Sequence, residues 1–489
     1  MNLKKTAAIA AAVGALAAVS VPAFAIENEF HGMYRLRGIM SNFENANATV
    51  VLGKDAPTAT VFEQRARIQY IAKTSDDLKL VTHFEVDSSW GDTAYQNGRG
   101  MGGGMAADTV NLETKHIYLD FNESATGANF KIGILPIVDT YKGIFINDDV
   151  AGVLTAKKFG ALTAAAGYFR LQDFTRTTPP TATTTLAGAT AGAITAANPA
   201  TTATTSIVAF ETANPIGRKN LDLYILDAKY AVSKDLTVGG AYYLLALDNA
   251  YQGQNIHVLG VNAAAKFGTI SADAFFAYQF GDALNSQSAV ATKGAFGTVD
   301  LSAFAIQAAV KADLAAAGTV RFNALYASGD DGKDATKNKA WTSTNSGDTL
   351  ATSSNTYYDS KMMLLMRNVV NMDTDKAIVQ TINNNNRGLT LFTLGYDYKF
   401  SDKLALTANV GYAAASQKAK ADSASIGTEI NTQIDYKLFS NLTASLQLAY
   451  VFLGEGLDKA TGTRLGGTTT GVANADDPYL TCLMFNYTF

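Results

Sequence analysis

Apolar and polar residues alternate one by one along much of the chain. From Phe30 to Met40, Phe30, Gly32, Tyr34, Leu36, Gly38 and Met40 share one face, with His31, Arg35 and Arg37 on the other. Phe62, Ala66, Ile68, Tyr70 and Ala72 oppose Glu63, Arg65, Arg67, Gln69 and Lys73. Leu78, Leu80, Phe84 and Val86 then oppose Lys79, His83, Glu85 and Asp87. Late in the chain, Phe392, Leu394, Tyr396, Tyr398 and Phe400 oppose Thr393, Asp397 and Lys399. Thr432, Ile434, Tyr436 and Leu438 do the same against Asn431, Gln433, Asp435 and Lys437. Side chains of a strand alternate between faces, so this period predicts β-strands that are each apolar on one side and polar on the other.

Short polar or glycine-bearing turns recur at residues 74–77, 123–129, 159–161, 233–235, 267–269, 313–318, 401–403 and 440–441. Between them lie a strand, a longer variable stretch and another strand. Two of those stretches are long: Thr175 to Ile216, dominated by Thr and Ala, and Gly329 to Arg387, polar and irregular. Eight tight turns alternating with long loops imply about 18 antiparallel strands, with 16 as the alternative. The alternation slips across Lys115-His116-Ile117-Tyr118, which suggests a bulge.

A soluble sandwich alternates as well, and two features count against it. Aromatics of the apolar faces fall at segment ends (Tyr70, Phe121, Phe130, Tyr230, Phe267, Phe400, Phe489), as in a girdle at a lipid–water boundary. The polar faces carry neighbouring like charges, Arg35/Arg37 and Arg65/Arg67. A water-filled lumen tolerates these, because high dielectric reduces repulsion to roughly 1 kcal/mol or less. The fold class expected is therefore all-β: a transmembrane antiparallel barrel, apolar outside and polar inside.

Composition agrees. Of 489 residues, 17% are charged and 47% hydrophobic, where an ordinary soluble domain has about 25% charged. Met1-Asn2-Leu3-Lys4-Lys5, an apolar run to Val19 and small residues at Ala23 and Ala25 read as a secretory leader over residues 1–25, leaving 26–489 as the barrel. Lys4 and Lys5 leave with it, taking the charge from −4 to −6. Beyond the leader no apolar stretch approaches the roughly 20 residues of a spanning helix. A closed barrel is the other way to satisfy every backbone group in lipid. The acidic balance excludes a nucleic-acid partner, and one Cys excludes a disulfide framework, a thiolate zinc site and covalent haem.

The C-terminus carries the sharpest local pattern: Leu483, Phe485, Tyr487 and Phe489 alternate with Cys482, Met484, Asn486 and Thr488. This resembles the last strand of bacterial outer-membrane barrels, whose terminal aromatic is read by the barrel-assembly machinery; the resemblance makes Phe485, Tyr487 and Phe489 the assembly signal. The whole mature chain looks like a Gram-negative outer-membrane porin of the general-diffusion superfamily. Lys131-Ile132-Gly133-Ile134-Leu135-Pro136-Ile137-Val138-Asp139-Thr140-Tyr141-Lys142-Gly143 is similar to the porin fifth strand running into the inward-folded third loop. The resemblance implies short periplasmic turns, long extracellular loops and one loop folded into the pore. It places an acidic loop (Asp148, Asp149) against a basic wall (Arg35, Arg37, Arg65, Arg67) as a constriction. Glu63, His83, Glu85, Asp87 and Lys131 are expected to face the lumen. Two departures stand: the loop, about Ile137 to Gly152, lacks the porins' Pro-Glu-Phe-Gly-Gly run, and 18 strands exceed the general porins' 16.

The implied role is a water-filled channel for small hydrophilic solutes and ions in the cell outer membrane, among lipid and lipopolysaccharide, as a homotrimer and without a cofactor. Other readings are a barrel sheathing an electron-carrying cytochrome, or an adhesin or receptor built on long loops. An enzyme is not expected: no Gly-x-Ser-x-Gly elbow occurs and nothing pairs Ser, His and Asp. No metal site is expected from the spacing of the four His, and Ser328 to Asp334 lacks the spacing of a calcium loop.

Overall fold

The computed structural model describes residues 26–46, 49–52, 54–92, 103–105, 110–173, 220–247, 254–284, 298–334, 336–344, 358–366, 377–384, 386–418, 423–458, 464–465, 469–471 and 475–489. Residues 1–25, expected to be a leader, the Thr/Ala-rich stretch Thr175 to Ile216 and most of the glycine-rich run at 98–104 lie outside the described residues.

Eighteen strands form one antiparallel barrel. They are β1 (Glu27–Ser41), β2 (Ala59–Ser75), β3 (Leu78–Ser89), β4 (Glu113–Glu123), β5 (Ala128–Val138), β6 (Asn147–Phe159), β7 (Leu162–Asp173), β8 (Asn220–Ser233) and β9 (Leu236–Leu247). The second half comprises β10 (Gln254–Phe267), β11 (Ile270–Leu284), β12 (Thr298–Asp313), β13 (Thr319–Ala327), β14 (Leu389–Lys399), β15 (Leu404–Ala414), β16 (Ser425–Phe439), β17 (Leu442–Leu453) and β18 (Tyr479–Thr488). Each strand pairs with its sequence neighbours, and β1 pairs with β18 from Met33↔Thr488 to Ser41↔Leu480, so no edge is left open.

The eight tight turns fall where the sequence places them, all at one end of the barrel. Gly160 and Gly268 open two of them at φ +60°, a conformation the two-residue hairpin needs and other residues resist. Phe267, Phe400 and Phe489, each more than half exposed, stand at that end. Outer faces stay apolar and exposed, as at Leu259, Val261, Leu394 and Ile430. With no water to solvate them in lipid, backbone groups are satisfied strand to strand. The expected bulge is present: β3 and β4 pair His83 with His116 but Phe84 with Thr114, leaving Lys115 as the extra residue.

The inner side differs from the expected polar lining over seven of the eighteen strands. Leu223, Tyr243, Val258, Phe275, Ala303, Leu325 and Leu391, on β8–β14, are buried and apolar. Two segments fold in against them. One is the connection between β5 and β6 (residues 139–146), in which Tyr141, Ile144, Phe145 and Ile146 have no exposed surface. The other lies between β13 and β14, where Trp341, Met362, Leu364, Leu365, Ile378 and Val379 are equally buried. Sequence alone treats Gly329 to Arg387 as an external loop. Its apolar residues are what pull it inside, because they cover the apolar inner faces of β8–β14.

Candidate functional site

The charged inner wall is built on β1–β3. Inner positions of neighbouring strands meet directly across the ladder, and here opposite charges face each other: Arg37 with Glu63, Arg65 with Asp87, Arg67 with Glu85. Arg37 Nη1 lies 3.2 Å from Glu63. Arg65 grips Asp87 with two bonds, Nε at 2.6 Å and Nη2 at 2.5 Å, and Arg67 Nε bonds Glu85. Bidentate geometry makes the Arg65–Asp87 pair the strongest of the three. Arg35 sits opposite Arg65, not opposite an acid. Its Nε and Nη2 are buried without a hydrogen-bond partner among the described residues. The wall therefore carries four guanidinium groups against Glu63, Glu85 and Asp87.

Asp148 and Asp149 lie at the start of β6, not in the loop before it, because the ladder with β5 already pairs them with Ile137 and Pro136. The structure ties Asp149 to Lys115 Nζ (2.8 Å) and to His116 Nε2 (2.7 Å) on β4. Asp148 Oδ1 accepts the Asp149 N–H at 2.8 Å. A cavity of about 250 Å³ beside them is also lined by Arg170 and Thr344, and Arg170 Nε is bound to Asp222 at 2.9 Å. Lys131 holds its amine 5.9 Å from the Tyr118 ring centre. At the seam, Phe489 exchanges backbone bonds with Gly32 (2.9 and 3.1 Å), and its ring stacks on Tyr487.

Two buried carboxylates, neither singled out from sequence, hold the inward segments. Asp139 accepts the N–H groups of Tyr141 (2.7 Å), Gly143 (3.1 Å), Phe145 (2.7 Å) and Ile146 (2.7 Å), closing residues 139–146 into a compact turn. Burial pushes its carboxyl up to about 6, against the opposing pull of those four amides. On β16, Glu429 accepts the N–H groups of Met363 (2.7 Å), Leu364 (2.9 Å) and Leu365 (2.5 Å), and the amide of Asn431 at 2.6 Å. A carboxylate can satisfy several amides that no strand supplies with carbonyls, which is how irregular backbone survives inside a barrel.

The inward segments also lock to the wall and to each other. Tyr141 donates to the Ala241 carbonyl (2.7 Å), Tyr243 accepts the Thr140 N–H (2.9 Å), and Lys142 pairs with Asp273 (2.7 Å). Trp341 Nε1 and Ser343 Oγ donate to the Ile144 carbonyl at 3.0 and 2.7 Å. Gln279 of β11 exchanges two bonds with the Thr342 backbone, at 2.6 and 2.8 Å. Among the described residues no group of three His, Cys, Asp or Glu is placed to hold a metal ion.

The fold is that of an 18-stranded porin-type barrel. Among solved structures the chain is similar to Pseudomonas aeruginosa OccK8 (OprE), with 13% identity, 95% of this chain and 98% of that one covered, and a TM-score of 0.51. It is similar as well to the outer membrane protein opdK from Pseudomonas aeruginosa, with 11% identity, 94% and 98% covered, and a TM-score of 0.50. No protein-family model matches the sequence, and no curated protein does.

Proposed function

We propose that the chain is an outer-membrane channel for passive diffusion of small hydrophilic solutes and ions, and not an enzyme. The observation that supports this most is the ion-paired wall on β1–β3, a layer of charge inside a barrel whose outside is apolar. Such a layer is costly to bury unless its charges are paired, and here the nearly buried Arg37, Glu63, Arg65, Glu85 and Asp87 are paired, while Arg67 keeps 30% of its side chain open. The two stapled segments reduce the open cross-section and turn its remainder toward that wall. Transverse charge there orders water, so a solute that can replace those hydrogen bonds passes more easily than an apolar one.

Asp148 and Asp149, further round the wall beside the first inward segment, contribute the acidic part of this constriction. The test is reconstitution of the mature protein into planar bilayers. Discrete, ohmic conductance steps, closing in triplets for a trimer, are expected. Folded protein that gives no steps by itself would overturn the channel in favour of a sheath around another protein.

A further inference from the structure

We propose that His83 and His116 form a binding site for a divalent transition-metal ion of the nickel, copper or zinc type on the inner wall. The two residues are 33 apart in sequence, and only the β3–β4 register with its bulge at Lys115 sets them side by side. Their Nδ1 atoms point at each other across 3.1 Å, with ring centres 4.9 Å apart. A metal takes imidazole nitrogen at about 2.0–2.1 Å. An ion held equally by both would therefore see them at about 100°, between the right angles of tetragonal or octahedral sites and the tetrahedral value.

A second observation points the same way. His116 Nε2 lies 2.7 Å from Asp149 Oδ1. The hydrogen-bond network thus assigns the proton to Nε2, because a carboxylate can only accept. That leaves the Nδ1 lone pair of His116 aimed at His83. A carboxylate behind a histidine is the usual support of a metal-binding imidazole: it fixes the ring and raises its basicity. Without metal, His83 donates its own Nδ1 proton across the gap; with metal, His83 takes its other tautomer, the proton passing through water to its Nε2, and the freed Nδ1 lone pair binds the ion.

Four charged groups surround the pair. Arg67 is engaged by Glu85 and Lys115 by Asp149, so neither cation stands uncompensated against an incoming ion. His83 is half-buried on the inner face and leaves the remaining coordination positions to water. Two imidazoles select first-row transition ions over magnesium or calcium, which demand oxygen ligands.

The experiment is calorimetric titration of NiCl2 into the folded, tag-free mature protein in detergent, with MgCl2 as the control and CuCl2 followed by electron paramagnetic resonance. One nickel per chain and a copper signal split by two nitrogens are expected. His83→Gln, which leaves the His116–Asp149 bond in place, should abolish both. Asp149→Asn should weaken nickel binding about tenfold or more. Replacing His31 and His257 should change nothing. Undiminished nickel binding by a folded His83→Gln/His116→Gln protein, or no binding by the unaltered chain, would overturn the site.

Discussion

At the residue scale, the inward segments depend on single acceptors. Asp139 concentrates four backbone amides on two oxygens. Asparagine offers one acceptor and turns an NH2 group toward the remaining donors. Asp139→Asn should leave about two buried amides unpaired and weaken docking of residues 139–146 by about 2–4 kcal/mol. Exchange protection of the Phe145 and Ile146 amides measures it. The pH dependence has a definite sign. Burial raises the Asp139 carboxyl from 3.8 to about 6, so the docked segment binds a proton more readily than the released one. Its stabilisation is complete below about pH 4 and is lost as pH rises through 6, a span of up to about 3 kcal/mol. Protection, corrected for intrinsic exchange, should therefore increase on going from pH 7.5 to 4.5 and become flat in Asp139→Asn. Neither Asp139 nor Glu429 was legible in the sequence, because a carboxylate serving as a staple has no spacing signature. Each is defined by amides that only the fold brings within reach.

At the scale of elements, the outer-facing pattern was the legible part. Alternation marked β1–β3, β14 and β16, and all eight tight turns came from polar or glycine punctuation, which fixes the strand number at 18. Even the bulge at Lys115 could be read from a slip in phase. The apolar part of the inner wall was not read. Phase alone identifies which residues share a face, and where the inward segments cover β8–β14, as at Leu223, Val258, Leu325 and Leu391, the inner positions are apolar too, so alternation fades there. The run Met362-Met363-Leu364-Leu365-Met366 was the available clue, since five apolar residues in a supposedly external loop need cover. This leads to a prediction about the segment between β13 and β14. Replacing residues 336–384 by a short glycine–serine linker should leave a barrel that still folds, because the closing ladder lies elsewhere. It should raise unitary conductance at least about twofold, as inner cross-section governs flow. An unchanged conductance would mean that this segment does not narrow the path.

For the whole molecule, net charge and local charge point in different directions. The chain is acidic, at −4, which by itself favours cations. Charge acts on a permeating ion only within about a Debye length, some 8 Å at physiological salt, so acids in distant loops are screened. What counts is the wall an ion passes. There Arg37, Arg65 and Arg67 are matched by Glu63, Asp87 and Glu85, while Arg35 faces Arg65 and its Nε and Nη2 have no hydrogen-bond partner among the described residues. A surplus positive charge on this wall attracts anions more than the overall acidity suggests. Arg35→Glu reverses that surplus and gives Arg65 an opposed partner, so the strand pairing should tolerate it. In a potassium chloride gradient across a planar bilayer, the reversal potential should move toward cation preference at low salt. The shift should shrink as salt approaches about 1 M, where screening falls to about 3 Å. A reversal potential indifferent to Arg35→Glu at low salt would place the permeation path away from β1–β3. Neutralising Asp148 and Asp149 together should move the potential the opposite way, toward anions. Opposed shifts from the two substitutions would set both groups, which share one side of the barrel through the His83–His116–Asp149 contacts, along one path.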